Sequence, residues 1–288
     1  MLNWKEVLDW KFEDVEQSYT RRDAILYALG LGYGHDPMDE AGLRYLYEAH
    51  EQGQLVVPSL SVVMGGPGAW MRDARTGIDW VRSLHGEQGL VVHAPLPPEA
   101  TVIGRNRVTG VIDKGAGKGS LLLMERDIVD AATGQLLATR TSSSFLRGDG
   151  GCGAPAREQY KPEPVPTRAP DLVHRIETRP EAALIYRLSG DWNPVHASPA
   201  VARKAGFERP ILHGLCTFGI ACRALLATVC GNDPSKLKMM NGRFSAPVYP
   251  GETQTIDIWQ ETGGRVRFRT RIEARGITAF DFGEASIA

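Results

Sequence analysis

The chain is poor in cysteine, has no long apolar run and carries no excess of either charge. Its four cysteines, at 152, 216, 222 and 230, lack metal-ligand spacing, and three of them fall in one predicted helix. Reduced, partly buried thiols are expected, with no metal centre. No stretch approaches the roughly 18 apolar residues of a membrane span, so no membrane partner is expected. The opening Met1-Leu2-Asn3-Trp4-Lys5-Glu6 has no signal-peptide apolar core, and Ala285-Ser286-Ile287-Ala288 is not a Ser-Lys-Leu address. The default expectation is therefore cytoplasmic. Basic and acidic residues number 33 and 34, a formal net charge of −1, which leaves no footprint for nucleic acid. Any phosphate-bearing ligand must meet local cations. No flavin or nicotinamide signature appears, and no cofactor is expected.

What remains is an ordinary globular composition, 42% hydrophobic and 23% charged over 288 residues, enough for one large or two ordinary domains. Residues 9–16 read as an extended lead-in. Thr20-Arg21-Arg22-Asp23 is a capping-box-like start ahead of Ala24-Ile25-Leu26-Tyr27-Ala28-Leu29. A short helix is predicted over 40–48, a buried strand over 55–64 and a helical turn or two over 78–84. Residues 89–94, 101–112, 120–129 and 136–145 are β-rich runs with short turns between them, which implies antiparallel pairing. The Gly- and Pro-rich stretch 147–170 reads as an ordered crossing.

The second half follows the same order. An extended run over 172–177 precedes a helix opened by Thr178, with Pro180 near its first turn. Ser198 caps a short helix over 199–204, and 213–230 is the longest helical pattern, apolar on most faces, so wrapped on nearly all sides. Strands return over 238–246, 253–260, 266–274 and 278–284. Two stretches repeat at similar offsets: Thr20-Arg21-x-Asp23-Ala24-x-x-Tyr27 as Thr178-Arg179-x-Glu181-Ala182-x-x-x-Tyr186, and Leu96-Pro97-Pro98-Glu99-Ala100-Thr101 as Val248-Tyr249-Pro250-Gly251-Glu252-Thr253. Duplication of an α+β unit, a sheet curled around a helix, is the expectation. Its parts are an amino-terminal unit (1–150), a linker (151–170) and a carboxyl-terminal unit (171–288).

Chemistry concentrates in Gly190-Asp191-Trp192-Asn193-Pro194-Val195-His196. On a continuous helix Asp191 and His196 would diverge by about 140°. Pro194 opposes a helix and pushes Asn193 towards extended geometry. A tight bend then lets carboxyl and imidazole share one spot, with the Asn193 amide free to hold one of them. Such a pair can act as general acid and base. An Asx-turn beside a surface histidine is the plainer alternative. The amino-terminal half has Gly34-His35-Asp36-Pro37 instead, most simply a turn, so the duplication is asymmetric.

Gly-Asp-x-Asn-Pro-x-His followed by Pro210-Ile211-Leu212-His213-Gly214-Leu215-Cys216-Thr217 resembles the signature of the MaoC-like, (R)-specific type 2 enoyl-CoA hydratases. Further blocks extend the resemblance to nearly the whole chain: Asp23–Gly30, Tyr45-Leu46-Tyr47-Glu48, Leu84-His85-Gly86-Glu87-Gln88, Asp113-Lys114-Gly115 and Asn241-Gly242-Arg243-Phe244. The portion resembled is the hydratase part of the multifunctional β-oxidation enzyme. The resemblance implies a double hot-dog fold, the amino-terminal repeat binding the acyl chain and the carboxyl-terminal repeat catalysing. It also implies a homodimer, an acyl-CoA substrate, and hydration of trans-2-enoyl-CoA to (3R)-3-hydroxyacyl-CoA in fatty-acid or sterol side-chain oxidation, on medium, long or bulky chains.

It further implies roles for particular residues. Asp191 and His196 are the catalytic pair, Asn193 their orienting partner, Gly214 N–H the oxyanion donor and Glu48 a functional acid. His85, Gly86, Lys114, Trp192, Pro194, Val195 and Phe244 match acyl-CoA-contacting positions. Each has a bland alternative: Glu48 ends a helix, His85 borders a turn, Lys114 sits in a hairpin, and Phe244 belongs to the core. Val57-Pro58-Ser59-Leu60 and Met64-Gly65-Gly66-Pro67-Gly68 depart from the family pattern where the acyl tail should lie. Two other readings keep the fold: a dehydratase acting on acyl-carrier-protein thioesters, and a non-catalytic acyl-thioester-binding protein.

Overall fold

The computed structural model describes residues 1–155 and 161–288. The chain opens with helix α1 (Trp4–Leu8), then strand β1 (Val15–Tyr19) and helix α2 (Arg21–Gly30). The Thr20 and Asp23 side chains cap α2 reciprocally, as the capping-box pattern predicts. A single helical turn, α3 (Glu40–Leu43), precedes the strands β2 (Ser83–Val92), β3 (Ala100–Asp113), β4 (Ser120–Asp130) and β5 (Leu136–Leu146). The second half runs β6 (Leu172–Glu177), α4 (Ala182–Tyr186), α5 (Pro199–Lys204) and α6 (Gly214–Thr228). It ends with β7 (Leu237–Phe244), β8 (Thr253–Gln260), β9 (Arg265–Ile272) and β10 (Ile277–Ile287).

Among the described residues ten strands form one antiparallel sheet in the order β1-β3-β4-β5-β2-β7-β10-β9-β8-β6. Read outward from the central β2–β7 pair, each side has the same order, so the sheet is two copies of one five-stranded pattern joined edge to edge. This is the double hot-dog arrangement. The repeated tyrosines meet near its centre: Tyr27 and Tyr186 are both buried, with ring centroids 5.7 Å apart.

One long helix serves both copies. From Cys216 to Leu226 most of α6 is buried, in a core that takes Tyr27 and Leu31 from the first half and Phe268 and Phe280 from the second. Gly219 is required where α2 crosses, since a Cβ there would lie 2.5 Å from Leu31 and 3.0 Å from the Tyr27 hydroxyl. Among the described residues the first half has no counterpart helix. Residues 55–64, expected as a buried strand, instead contain a 3₁₀ turn over Pro58–Val63 that packs under α6. Pro58 supplies no N–H for a ladder, and the Ser61 hydroxyl donates to the Pro58 carbonyl at 2.7 Å. An apolar run this short does not distinguish strand from buried turn.

Three other expectations shift. The helix expected over 40–48 is a single turn that ends at Leu43, with Asp39 as its cap. β2 begins at Ser83, because Gly86 sits in a bulge between His85 and Glu87 that hides the alternating pattern. The helix expected from Thr178 starts at Ala182, since the Thr178 hydroxyl donates instead to the Glu252 carbonyl at 2.8 Å. Within the stretch expected as a linker, residues 156–160 lie outside the described residues. Beyond them Glu163 is ion-paired to Arg265 at 2.7 Å and to Arg267 at 3.1 Å. Cys216, Cys222 and Cys230 are buried thiols and Cys152 is partly buried.

Candidate active site

The bend after α4 is built by its own residues. Gly190 takes φ +118°, which lets the chain reverse after a short 3₁₀ turn. The Asn193 side chain then accepts from the Val195 N–H at 3.1 Å and caps a second 3₁₀ turn, Pro194–His196, with Pro194 at its first position. Asp191 Oδ1 accepts from the Asn193 N–H at 3.1 Å. The result places Asp191 Oδ2 4.0 Å from His196 Nε2. Carboxyl and imidazole do share one spot. Asn193 orients them through the backbone turn, whereas direct contact of its amide with one of the pair was expected.

His196 is 8% exposed, and its Nδ1–H donates to the Ile211 carbonyl at 2.8 Å. That bond leaves the Nε2 lone pair towards Asp191. Burial lowers the His196 pKa, against the opposing pull of the Ile211 carbonyl and of Asp191. His213 lies against it, with ring centroids 3.7 Å apart and 26° between planes, and its Nε2 is 3.2 Å from the Asp191 carbonyl oxygen. Burial and then the neighbouring His196 bring the His213 pKa down to about 4. His213 stood in a motif block but drew no role from sequence. As residue preceding α6 it follows the Ile211–Leu212 segment that anchors His196. Donor atoms of Asp191, His196 and His213 lie within 4.8 Å of one another, so the set has the chemistry to hold a metal ion as well.

Gly214 is the first residue of α6, so its N–H has no partner within the helix and sits at the positive end of the dipole. A Cβ on Gly214 would meet the Phe244 ring at 3.3 Å. Phe244 in turn has the His85 ring edge-on at 4.9 Å. His85, half-buried on β2, has Nε2 3.1 Å from the Glu87 carbonyl, and desolvation with the nearby Arg140 charge brings its pKa down to about 3. Gly86 follows in the bulge, where a Cβ would lie 3.0 Å from the Ser143 hydroxyl. Trp192 is 57% exposed and stacks under the Arg187 guanidinium at 4.6 Å, and Pro194 is exposed beside the half-buried Val195.

Two expected residues are not brought to this cluster. Glu48 is exposed and follows Tyr45, whose hydroxyl donates to the Asn232 carbonyl beyond the carboxyl end of α6. Gly214 stands at the opposite end, about 20 Å away along a helix of this length. Lys114 is exposed at the β3–β4 hairpin with Nζ 5.7 Å from the Phe145 ring centroid. Phe145 alternates with Ser144, the register partner of His85, so Lys114 and His85 lie over opposite faces of the sheet.

Beside the cluster, a cavity of about 270 Å³ opens between the inner face of the first half-sheet and the Pro67–Gly68 loop. Its walls include His85, Met124, Trp70, Ser142, Arg126 and Arg140. The two arginines escaped the sequence reading, since a charge inside an alternating strand reads as a solvated position.

Residues 17–148 match the MFE-2 hydratase 2 N-terminal domain and residues 161–279 the MaoC like domain. A Dictyostelium discoideum protein named probable enoyl-CoA hydratase 2 is 36% identical, over 98% of this chain and 96% of its own length. The crystal structure of a MaoC-like dehydratase from Phytophthora capsici superposes with a TM-score of 0.88 at 33% identity, covering 100% of this chain and 98% of that one. Full-length peroxisomal multifunctional enzyme type 2 from Drosophila melanogaster gives a TM-score of 0.80 at 34% identity, over 96% of this chain and 48% of that chain.

Proposed function

The chain belongs to the MaoC-like, hydratase 2 family, and on that premise we propose that it is an (R)-specific enoyl-CoA hydratase, a hydro-lyase acting through Asp191, His196 and Gly214. The observation that carries the residue roles is the 4.0 Å gap between Asp191 Oδ2 and His196 Nε2 beside the amino end of α6. A water hydrogen-bonded at ~2.8 Å to each atom spans that gap. His196, with Nδ1–H committed to Ile211, takes a proton from this water through Nε2 as its oxygen bonds to the β-carbon. Asp191 passes a proton to the α-carbon, and the proton on His196 restores the pair. Negative charge gathering on the thioester oxygen is met by the Gly214 N–H, where an amide fixed beforehand by the helix is most effective. Acid and base on one side of the alkene give syn addition and a (3R) product. His213 positions the pair by stacking on His196.

In the same reading the first half holds the acyl tail, since the cavity lies there and, among the described residues, no helix fills the place of α6. Two copies of the chain pair, in the cytoplasm. Scattering in solution measures the pairing. The main test is a chain-length series of trans-2-enoyl-CoA esters, including a branched or sterol-derived one. Loss of the conjugated thioester absorbance and (3R) product by chiral chromatography are expected; (3S) product, or no hydration of any ester, sinks the reading. Matched CoA and acyl-carrier-protein thioesters separate this hydratase from a carrier-linked dehydratase.

A further inference from the structure

The cavity beside the catalytic cluster holds two cations that the mechanism does not use. Arg126, on β4, is 6% exposed; its Nε donates to Asn106 Oδ1 at 2.8 Å and its Nη1 to the Met64 carbonyl at 2.5 Å. Arg140, on β5, is half-buried, and its Nε donates to Gln88 Oε1 at 3.1 Å. Among the described residues neither guanidinium has a carboxylate within ion-pair distance. Glu125, the one acid in the cavity wall, is taken by Arg107. Desolvation brings Arg126 to a pKa of about 9, helped by the Arg140 charge, and Arg140 to about 10. Both stay protonated at neutral pH.

Two like charges in a desolvated space, held by neutral acceptors alone, are a costly arrangement that a bound anion reverses. The rest of the wall suits such an anion. Ser142 and Ser144 lie on the same face of β5 as Arg140, and Ser83 stands nearby. Arg126 has a structural duty, holding the Met64–Gly65 loop with Asn106, whose amide donates to the Gly65 carbonyl at 3.0 Å. Arg140 has none beyond Gln88.

The cavity adjoins the reacting centre through one wall residue. His85 lines it and touches Phe244, which covers Gly214. The phosphates of CoA are separated from the thioester by the whole pantetheine arm, whereas the cavity connects to Gly214 through His85 and Phe244, so an anion in it is assigned to the acyl group.

Resting on the hydratase reading above, we infer that the acyl group accepted here is short and carries a carboxylate, which binds between Arg140 and Arg126 with hydroxyl help from Ser142 and Ser144. Guanidinium matches a carboxylate in bidentate geometry, which a methyl terminus cannot exploit.

The test measures affinity before turnover. Saturated esters cannot be hydrated, so glutaryl- to suberyl-CoA against pentanoyl- to octanoyl-CoA read the cavity alone, by calorimetry on the intact chain. Wild-type protein is expected to bind the best carboxylate-ended ester at least about tenfold tighter than its methyl-ended partner. Arg140→Met should erase that ratio, and Arg140→Lys should retain part of it. Equal or reversed preference in the wild type overturns the inference and needs no variant to fold. So does an Arg140→Met variant that loses as much affinity for free CoA as for the carboxyacyl ester, since the anion is then a CoA phosphate. Hydration of the corresponding trans-2-enoyl esters is scored separately, so failure of turnover and failure of carboxylate preference are distinct results.

Discussion

His196 and His213 stack at a centroid distance of 3.7 Å, an arrangement that disfavours a positive charge on either ring. Each is buried, His213 to 1% exposure, and each has its pKa lowered by that burial. A stacked pair of this kind tolerates little positive charge. It lets His196 serve as a base at pH values where an exposed histidine would already be protonated.

Stability should therefore fall in acid over a definite window. His213 has a folded-state pKa of about 4 against an ordinary value of 6.5, so the unfolded chain binds more protons between those two pH values. Its contribution is fully present above about pH 6.5 and is lost as pH drops through 4, on the order of 3 kcal/mol in all. Denaturant melts from pH 7 to pH 4 check this. His213→Asn should flatten the decline.

The same shift bears on rate. The acid limb of kcat/KM, set by neutral His196, is expected below the pH 6.5 of an unperturbed imidazole, because the His196 pKa is lowered. A limb above 6.5 would assign the base elsewhere.

Replacing the pair tests the chemistry directly. Asp191→Asn and His196→Gln should each reduce enoyl-CoA hydration by about 10² to 10⁴-fold, with the circular dichroism of the fold retained. Activity within a factor of a few of wild type in either variant refutes the roles assigned.

Gly214→Ala separates stability from catalysis. A Cβ gains helix propensity of up to about 1 kcal/mol but presses on the Phe244 ring at 3.3 Å, so net stability should change little. The same methyl obstructs the thioester at the amide, and kcat should fall by about tenfold or more.

Asn193 and Glu48 give opposite expectations. Asn193→Ala removes the cap of the Pro194–His196 turn, at a cost of about 1 kcal/mol and with loss of activity, and Asn193→Asp should restore much of both. Glu48→Gln should leave kcat/KM within a factor of a few, because Glu48 is exposed and nearby Tyr45 reaches the far end of α6 from Gly214.

Local chemistry alone determined much of this protein. The capping box at Thr20, the Ser198 cap, the long strands, the apolar helix over 213–230 and the bend that joins Asp191 to His196 are each set by residues close in the chain. The repeated blocks told of duplication for the same reason, since each copy folds by its own short-range pattern. Tertiary structure decided what distant segments share. It turned 55–64 into a turn under α6, because an apolar run with a proline obtains its conformation from what it packs against. It stacked His213 on His196, carried Tyr45 to the end of α6 far from Gly214 and left Glu48 exposed, and put Lys114 and His85 on opposite faces of one sheet. It also faced Arg126 and Arg140 into a common cavity. Which face of a strand is enclosed depends on the loop that covers it, and no pattern within the strand records that.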